Sequence, residues 1–290
     1  MGFTITIIGL GLMGSSFARA IRGFRDARLL GVDTDASSRQ SVLCAGWVDE
    51  AYEDAKEAVR QSDVSVFATY PRTAIDGLRA LAADFKPGSV VTDLCGVKRP
   101  LVQAAQSLPD HVSFVGGHPM AGKEAWGHEN AAGELFYGAN YILTPVCARE
   151  EAVTLIQEMV AYIGAHVTVC TPETHDRMIA YTSQLAHILA SALANTPDYL
   201  DSAGYEGGSF RDLTRVATLN AHMWAELFVL NQDALCGCLD TLIDNLKCFK
   251  RCIARKEEAD IAYALFDSSR QKKRYLEKLK DQASSRRPQP

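Results

Sequence analysis

From the N-terminus to about residue 171, short apolar runs alternate with amphipathic stretches. The runs are Ile5–Ile8, Leu29–Val32, Val64–Phe67, Val90–Thr92, Val112–Val115, Tyr141–Leu143 and Val167–Val169. Several are rich in β-branched residues and nearly continuous, as expected for strands buried on both faces of a parallel sheet. Helical periods lie between them, at Ser15–Arg22 and Glu150–Ile163. This alternation predicts a doubly wound α/β sheet. After Thr171 the texture changes. Thr171-Pro172-Glu173 reads as a helix start, with Thr as the cap and Pro at the first position. Long helical periods follow at Tyr181–Asn195, Asn220–Leu246 and Ile261–Lys280, with no convincing strand. Gly204–Gly208 breaks the pattern and is expected to be a loop. The expected organisation is therefore an α/β domain over 1–171 and an all-α domain over 172–290, ending in the polar tail Ala283–Pro290. No internal repeat of the solenoid kind is visible.

Composition narrows the function classes. The chain has 290 residues, 47% hydrophobic and 22% charged, ordinary values for a globular protein and ample for a core. A net charge of -5 argues against a general nucleic-acid binder. No run approaches the roughly 18 apolar residues of a membrane helix. The start, Met1-Gly2-Phe3-Thr4-Ile5, lacks a basic n-region and a cleavage site, so a cytoplasmic location is expected. None of the eight cysteines forms a Cys-x-x-Cys pair, and no His stands at zinc-ligand spacing. Reduced thiols and no metal site are the expectation.

Chemistry enters with Gly9-Leu10-Gly11-Leu12-Met13-Gly14, a G-x-G-x-x-G between a strand run and a helical period. Gly9 permits the tight turn, Gly11 lets the backbone approach a pyrophosphate, and Gly14 allows close helix–strand packing. The helix N-terminus then offers free N–H groups to phosphate. Asp33 ends the next strand run at about the 20-residue spacing expected of a ribose-binding acid. Its carboxylate accepts from a 2′-OH and repels a 2′-phosphate, favouring NAD over NADP. The structural alternative is that the glycines only turn the chain and Asp33 caps the next helix.

Gly116-Gly117-His118-Pro119-Met120-Ala121-Gly122-Lys123-Glu124 follows the run ending at Val115. Ligands of open α/β sheets bind beyond the carboxyl ends of strands. Pro119 disfavours helical geometry at His118, placing it in an extended loop. Such a His can accept the proton of an alcohol being oxidised, and is equally a solvated loop residue. In the helical half, His175-Asp176 lies in the first turn after Pro172, and His187 sits among apolar residues Leu185–Leu193. Arg211 and Arg215 share one helix face at i, i+4. His187 also fits a satisfied core histidine. The arginines fit either a solvated face paired with Asp212 or Glu206, or a grip on an anionic substrate.

Assembled, these residues resemble the prephenate/arogenate dehydrogenase family over about Thr4 to Phe266. The resemblance rests on Gly9–Gly14, Asp93-Leu-Cys-Gly-Val-Lys98, Gly117-His-Pro-Met-Ala-Gly-Lys-Glu124, Ser183-Gln-Leu-Ala-His187, Phe210-Arg-Asp-Leu-Thr-Arg215 and Met223-Trp224. It implies a dinucleotide-binding (Rossmann-type) domain followed by an all-α dimerisation domain. It also implies oxidative decarboxylation of prephenate to 4-hydroxyphenylpyruvate, or of arogenate to tyrosine, with NAD. His118 is implied to accept the ring hydroxyl's proton, Arg215 to bind a substrate carboxylate and His187 to line the substrate pocket. Lys123 falls in the same substrate-binding set. Glu124, Asp176 and Arg215 are implied to form an ionic network near the entrance. Thr69, Tyr70, Asp93 and Gly96 complete the cofactor-binding set.

Three departures from the family's habit stand out. Gly96 stands where Ser is common, Gln184 and Ala186 where His and Pro are frequent before His187, and Lys123 where a smaller neutral residue is frequent. Chorismate mutase and regulatory domains, which the family can carry, are not expected here. The competing readings are a β-hydroxyacid dehydrogenase or imine reductase of similar architecture, with Lys or another donor where His187 stands, and a non-catalytic NAD-binding sensor.

Overall fold

The computed structural model describes residues 2–123, 125–146 and 148–285. Among these, eight strands form one sheet in the order β3-β2-β1-β4-β5-β6-β7-β8. They are β1 (Thr4–Ile8), β2 (Arg28–Val32), β3 (Glu50–Tyr52), β4 (Val64–Phe67), β5 (Val90–Asp93), β6 (Ser113–Pro119), β7 (Asn140–Pro145) and β8 (His166–Val169). Helices α1 (Leu12–Ile21), α2 (Ala36–Cys44), α3 (Ala55–Gln61), α4 (Pro71–Ala80), α5 (Arg99–Ala105) and α6 (Glu150–Tyr162) connect and cover them. This is the expected doubly wound architecture.

Residue alternation builds the two layers. Ile5, Ile7, Val64 and Val66 point into one core with Phe17 and Ile21 of α1 and Ile156 and Val160 of α6. Ile8, Leu30, Phe67 and Val91 point into the other, with Val59, Leu78 and Leu101 from α3, α4 and α5. Strands with apolar side chains on both faces need helices on both faces.

The glycine loop performs two separate steric tasks. Gly9 has φ +97°, and a Cβ there would lie 2.9 Å from the Ala68 backbone. Its N–H donates to Val32 O at 2.8 Å. A Cβ on Gly14, inside α1, would lie 1.8 Å from Gly9 O, whereas a Cβ on Gly11 would meet nothing within 4 Å.

Three features differ from the sequence expectation. The sheet is not wholly parallel: β7 runs antiparallel to β6, and β8 follows β7. The short edge strand β3, half-buried and pairing with β2, was not anticipated. His118 lies on β6 itself, opposite Ile142, rather than in a loop beyond it.

After β8 every described element is helical: α7 (Pro172–Ile179), α8 (Leu185–Ala194), α9 (Gly208–Thr214), α10 (Ala221–Leu230), α11 (Gln232–Arg255) and α12 (Glu258–Ser285). Thr171 caps α7 as expected, its hydroxyl accepting from Thr174 N at 3.2 Å. A π-helical turn, Ala180–Gln184, joins α7 to α8. The expected helix Asn220–Leu246 is broken at Asn231, whose buried side chain donates inward to Gln184 Oε1 (2.8 Å) and Asp176 O (2.9 Å). By contacts the chain divides into two compact units, Met1–Leu235 and Cys236–Pro290. The second comprises most of α11 and all of α12, which turn at Lys256 with φ +57°. Helix α12 runs through Ser285, so the expected polar tail begins no earlier than 286, and residues 286–290 lie outside the described chain.

The two glycine tasks separate experimentally. Gly14→Ala forces the 1.8 Å overlap with Gly9 O and should destabilise by about 1–3 kcal/mol. Gly11→Ala should leave the thermal midpoint unchanged while weakening dinucleotide binding. Equal melting of both variants and wild type contradicts this assignment.

Candidate active site

Strand order reverses between β1 and β4, and the carboxyl ends of β1, β4, β5 and β6 open there onto a cavity of about 610 Å³. This is the switch point at which doubly wound sheets bind ligands, and the volume suits a small-molecule site. Gly11, Leu12 and Met13 line it after β1, and Thr69 and Tyr70 after β4. Gly96 lines it after β5, and His118 from β6. Lys123, exposed, lies on the rim, while Glu124 is outside the described residues. From the helical half come His187 and Arg215.

The nucleotide side fits a dinucleotide. Gly11 precedes helix α1 and gives it no side-chain cap, so its first N–H groups are left for a ligand, and the space beside Gly11 is open. Leu10 is buried and serves the turn: its N–H donates to Asp33 Oδ2 at 2.7 Å. Asp33 Oδ1 accepts from Asp35 N at 2.9 Å. The half-buried Asp33 thus pins the loop and keeps lone pairs at the end of β2, where an adenosine ribose lies in such folds.

Asp93 requires a correction. It is fully buried and does not reach the cavity. Its carboxylate pairs with the equally buried Lys98 ammonium and accepts from Cys95 N at 2.9 Å and Gly117 N at 3.2 Å. The pair explains Gly116-Gly117. A Cβ on Gly116 would press on Thr144 Oγ1 at 2.3 Å and Lys98 Cδ at 3.1 Å, and one on Gly117 on Asp93 O at 2.6 Å. Asp93 is thus a buried support beneath the cavity floor.

Asp176 is likewise not in the cavity. It is buried, and its carboxylate accepts from Lys98 N (2.8 Å), Arg99 N (2.9 Å) and His175 Nδ1 (2.7 Å). The entrance network assigned to it in the sequence gives way to an inner position, because the two backbone N–H groups opening α5 already hold both oxygens. His175, in turn, brings Nε2 to 2.8 Å from His118 Nδ1. Burial, above all, holds the His118 imidazole well below its ordinary value of 6.5, helped by neighbouring His175 and the Lys98 charge. Burial also pushes the Cys95 thiol, on the cavity wall, far up and out of thiolate range.

The π-helical turn places the remaining groups. It carries Ser183 and Gln184 onto the cavity and ends one turn before His187. Such turns recur at functional sites. His187 stacks on Trp224, with centroids 3.9 Å apart at 23°, and its Nδ1 donates to Ser183 O at 2.9 Å. Its ring is thus a positioned part of the wall rather than a core filler. Helix α10, which carries Trp224, is docked by Glu226 Oε2 accepting from Arg72 N at 3.0 Å. Arg211 and Arg215 do not act as a pair: Arg215, just after α9, lines the cavity, and Arg211 does not. Sequence reasoning left His175, Lys98 and Trp224 without roles, although each sits inside a segment already singled out.

A Rossmann-type half with a histidine-bearing cavity at its switch point defines a dehydrogenase, and comparison with known proteins identifies which kind. Residues 17–169 match the family profile "Prephenate dehydrogenase, nucleotide-binding domain", and residues 171–267 match "Prephenate dehydrogenase, dimerization domain". The cyclohexadienyl dehydrogenase of Zymomonas mobilis is 31% identical over 262 residues, 87% of this chain and 89% of that one. Prephenate dehydrogenase from A. aeolicus, solved in complex with hydroxyphenyl propionate and NAD+, superposes with a TM-score of 0.82 at 27% identity, covering 98% of both chains. Synechocystis arogenate dehydrogenase gives 0.80 at 27% identity, covering 94% of this chain and 100% of that one. The chain belongs to the prephenate dehydrogenase family.

The buried pair carries its own prediction. Lys98→Met leaves Asp93 in the interior without its counter-charge and should destabilise by about 3–5 kcal/mol. An unchanged thermal midpoint for the variant would overturn the role given to the pair.

Proposed function

We propose that the protein catalyses NAD-dependent oxidative decarboxylation of prephenate to 4-hydroxyphenylpyruvate, or of arogenate to tyrosine. The observation that carries this reading is the convergence of His118, His187 and Arg215 with the Gly11–Met13 loop on one cavity. A non-catalytic sensor would have no use for that convergence, and the family membership disfavours the β-hydroxyacid dehydrogenase and imine reductase readings. In the same proposal, residues 1–171 bind the dinucleotide, and residues 172–290 complete the substrate pocket and join two copies in a cytoplasmic homodimer.

Both substrates are cyclohexadienes bearing a ring hydroxyl and a ring carboxylate. NAD, when bound, supplies the acceptor for hydride from the hydroxyl-bearing carbon. Gly11–Met13 and the N-terminus of α1 hold its pyrophosphate, Asp33 its ribose, and Thr69, Tyr70 and Gly96 line the path to the reacting end. His118 accepts the hydroxyl proton. The ring carboxylate then leaves as CO2, its bonding electrons make the ring aromatic, and the phenol oxygen takes the proton back from His118. Arg215 grips a substrate carboxylate before and during the reaction. His187 and Trp224 pack the substrate, and Lys123 adds positive charge at the rim. Aromatisation supplies the drive, while the protein supplies position and one base.

Purified protein should form NADH with prephenate, arogenate or both, and more efficiently than NADPH. Inactivity with both substrates sinks the reading, and equal efficiency with NADP removes the role of Asp33. His118→Asn should lower kcat by about 10²–10⁴-fold with NAD affinity unchanged, whereas Arg215→Ala should mainly raise KM. Because burial holds His118 below 6.5, the unprotonated base persists as pH falls to that value, and the acid limb of kcat should lie below it.

The dimer proposal rests on α11 and α12, which expose Ile243, Ile253, Tyr263, Phe266, Tyr275 and Leu279. So many large apolar side chains on one helical unit call for a partner surface. Light scattering at micromolar concentration should give twice the chain mass, and a monomer contradicts this part.

A further inference from the structure

A histidine accepts a substrate proton only if the nitrogen facing the substrate is the unprotonated one. At His118 that condition is met by a chain of hydrogen bonds whose directions are forced. Asp176 Oδ1 accepts from the backbone N–H of Lys98 (2.8 Å) and Oδ2 from that of Arg99 (2.9 Å). A carboxylate held this way can only accept from His175 Nδ1, at 2.7 Å. Burial, the largest influence, holds His175 below its ordinary value and hence neutral at pH 7, so its proton stays on Nδ1 and its Nε2 is a bare acceptor. His118 Nδ1, 2.8 Å from that Nε2, must then be the donor. Nε2 of His118 is left as the unprotonated nitrogen available to a ligand in the cavity.

We propose that His175 and Asp176 are positioning residues for the reaction: Asp176 fixes the tautomer of His175, and His175 fixes the tautomer and ring orientation of His118. The inference deepens the functional reading above and rests on His118 being its base. It also accounts for Gly96. A Cβ at this position would lie 3.8 Å from His118 Cε1, so a hydroxyl-bearing residue here would sit beside the ring. Gly96 offers none, and the contact that orients the imidazole is the one from His175 to Nδ1. Asp176 in turn is held by the first N–H groups of α5, and its own carbonyl accepts from Asn231 at 2.9 Å. The relay is therefore anchored to both α5 and the end of α10. As proton transfer proceeds, the imidazolium forming at His118 keeps a hydrogen-bond acceptor at Nδ1, with a carboxylate behind it.

Substitutions reverse the chain in definable ways. In Asp176→Asn, an amide cannot accept at both positions. With its oxygen toward Arg99 N–H, its NH2 faces Lys98 N–H, donates to His175 Nδ1, moves that proton to Nε2 and makes His118 Nδ1 an acceptor; with its oxygen toward Lys98 N–H and His175 it keeps the wild-type direction and leaves only Arg99 N–H unpaired. In the first orientation His118 Nε2 carries the proton and cannot serve as base. His175→Phe removes the acceptor altogether. His175→Gln can restore it, since Gln Oε1 accepts from His118 while its NH2 donates to Asp176.

The test uses full-length protein with NAD bound and 15N-labelled histidine, the His118 signals being assigned by their loss in His118→Asn. Wild type should show His118 protonated on Nδ1 and not on Nε2, and Asp176→Asn should show both tautomers. Steady-state kinetics with whichever of prephenate and arogenate is turned over should give kcat lowered about 10²–10⁴-fold in His175→Phe, and lowered less in Asp176→Asn. KM should stay within about threefold, and His175→Gln should regain most of the loss. If Asp176→Asn does not fold, the Phe and Gln variants at 175 decide the matter. An Nε2-protonated His118 in wild type, or a His175→Phe enzyme with unchanged kcat, overturns the proposal. Failure of the functional reading would instead appear as a wild type inactive with both substrates, in which case the tautomer measurement alone decides this inference.

Discussion

The cavity floor depends on burying two carboxylates without leaving either unpaired. Asp93 and Asp176 sit at the edge of the sheet's carboxyl end, each almost free of solvent. An unpartnered charge in such a place is several kcal/mol unfavourable. Asp93 meets that constraint with the Lys98 ammonium and two backbone N–H groups, and Asp176 with the opening of α5 and the His175 ring. Both solutions pass through Lys98, whose side chain serves one acid and whose backbone serves the other. One residue thereby ties β5, β6, α5 and α7 together around His118. The paired glycines of β6 exist to leave room for this arrangement, and they set how closely His118 can approach the end of β5.

Much of the fold was legible because its cause is local. Short apolar runs mark β1, β2 and β4–β8, and Thr171-Pro172 marks the start of α7 through its hydroxyl cap and preset φ. What was illegible has non-local causes. Strand direction is not written in a strand's own side chains, so Tyr141–Leu143 gave no hint that β7 runs against β6. Glu50–Tyr52 is a three-residue edge strand with half-buried polar side chains, too short for a period to register. The helix across Asn231 looked continuous because the demand that breaks it, a hydrogen bond to Gln184 and Asp176, comes from another part of the chain.

The site divides the same way. Gly9–Gly14 was legible from its spacing, whereas His118, His187 and Arg215 were left open by their own residues and singled out through the family resemblance; the structure brings these three and Gly11–Met13 to one cavity. Asp93 and Asp176 were misplaced because an acid in a motif looks the same whether it faces a ligand or a buried lysine. His175 passed as one member of a polar pair, since its importance lies in a 2.8 Å contact with a residue 57 positions away. Trp224 was noted as part of a segment, but its stacking on His187 requires α10 to be docked on α4 by Glu226.

The reversed strand β7 has a further consequence. A parallel neighbour for β6 would have required the connecting chain to travel back along the full height of the sheet. An antiparallel one begins where β6 ends, so residues 120–139 start and finish at the rim of the cavity. Their later part is tied down: Ala132 N donates to Ser16 Oγ at 3.0 Å, and His128 meets Ser38 Oγ at 3.2 Å. The earlier part, which carries Met120, Lys123 and Trp126 on the cavity wall, is left over as cover. It stays attached to the sheet through Met120 N, which donates to Asn140 O at 2.8 Å, and through Ala121, which packs against the core. The β6–β7 ladder thus fixes where the described residues of this stretch begin and end, and their side chains between those points are what the cavity meets.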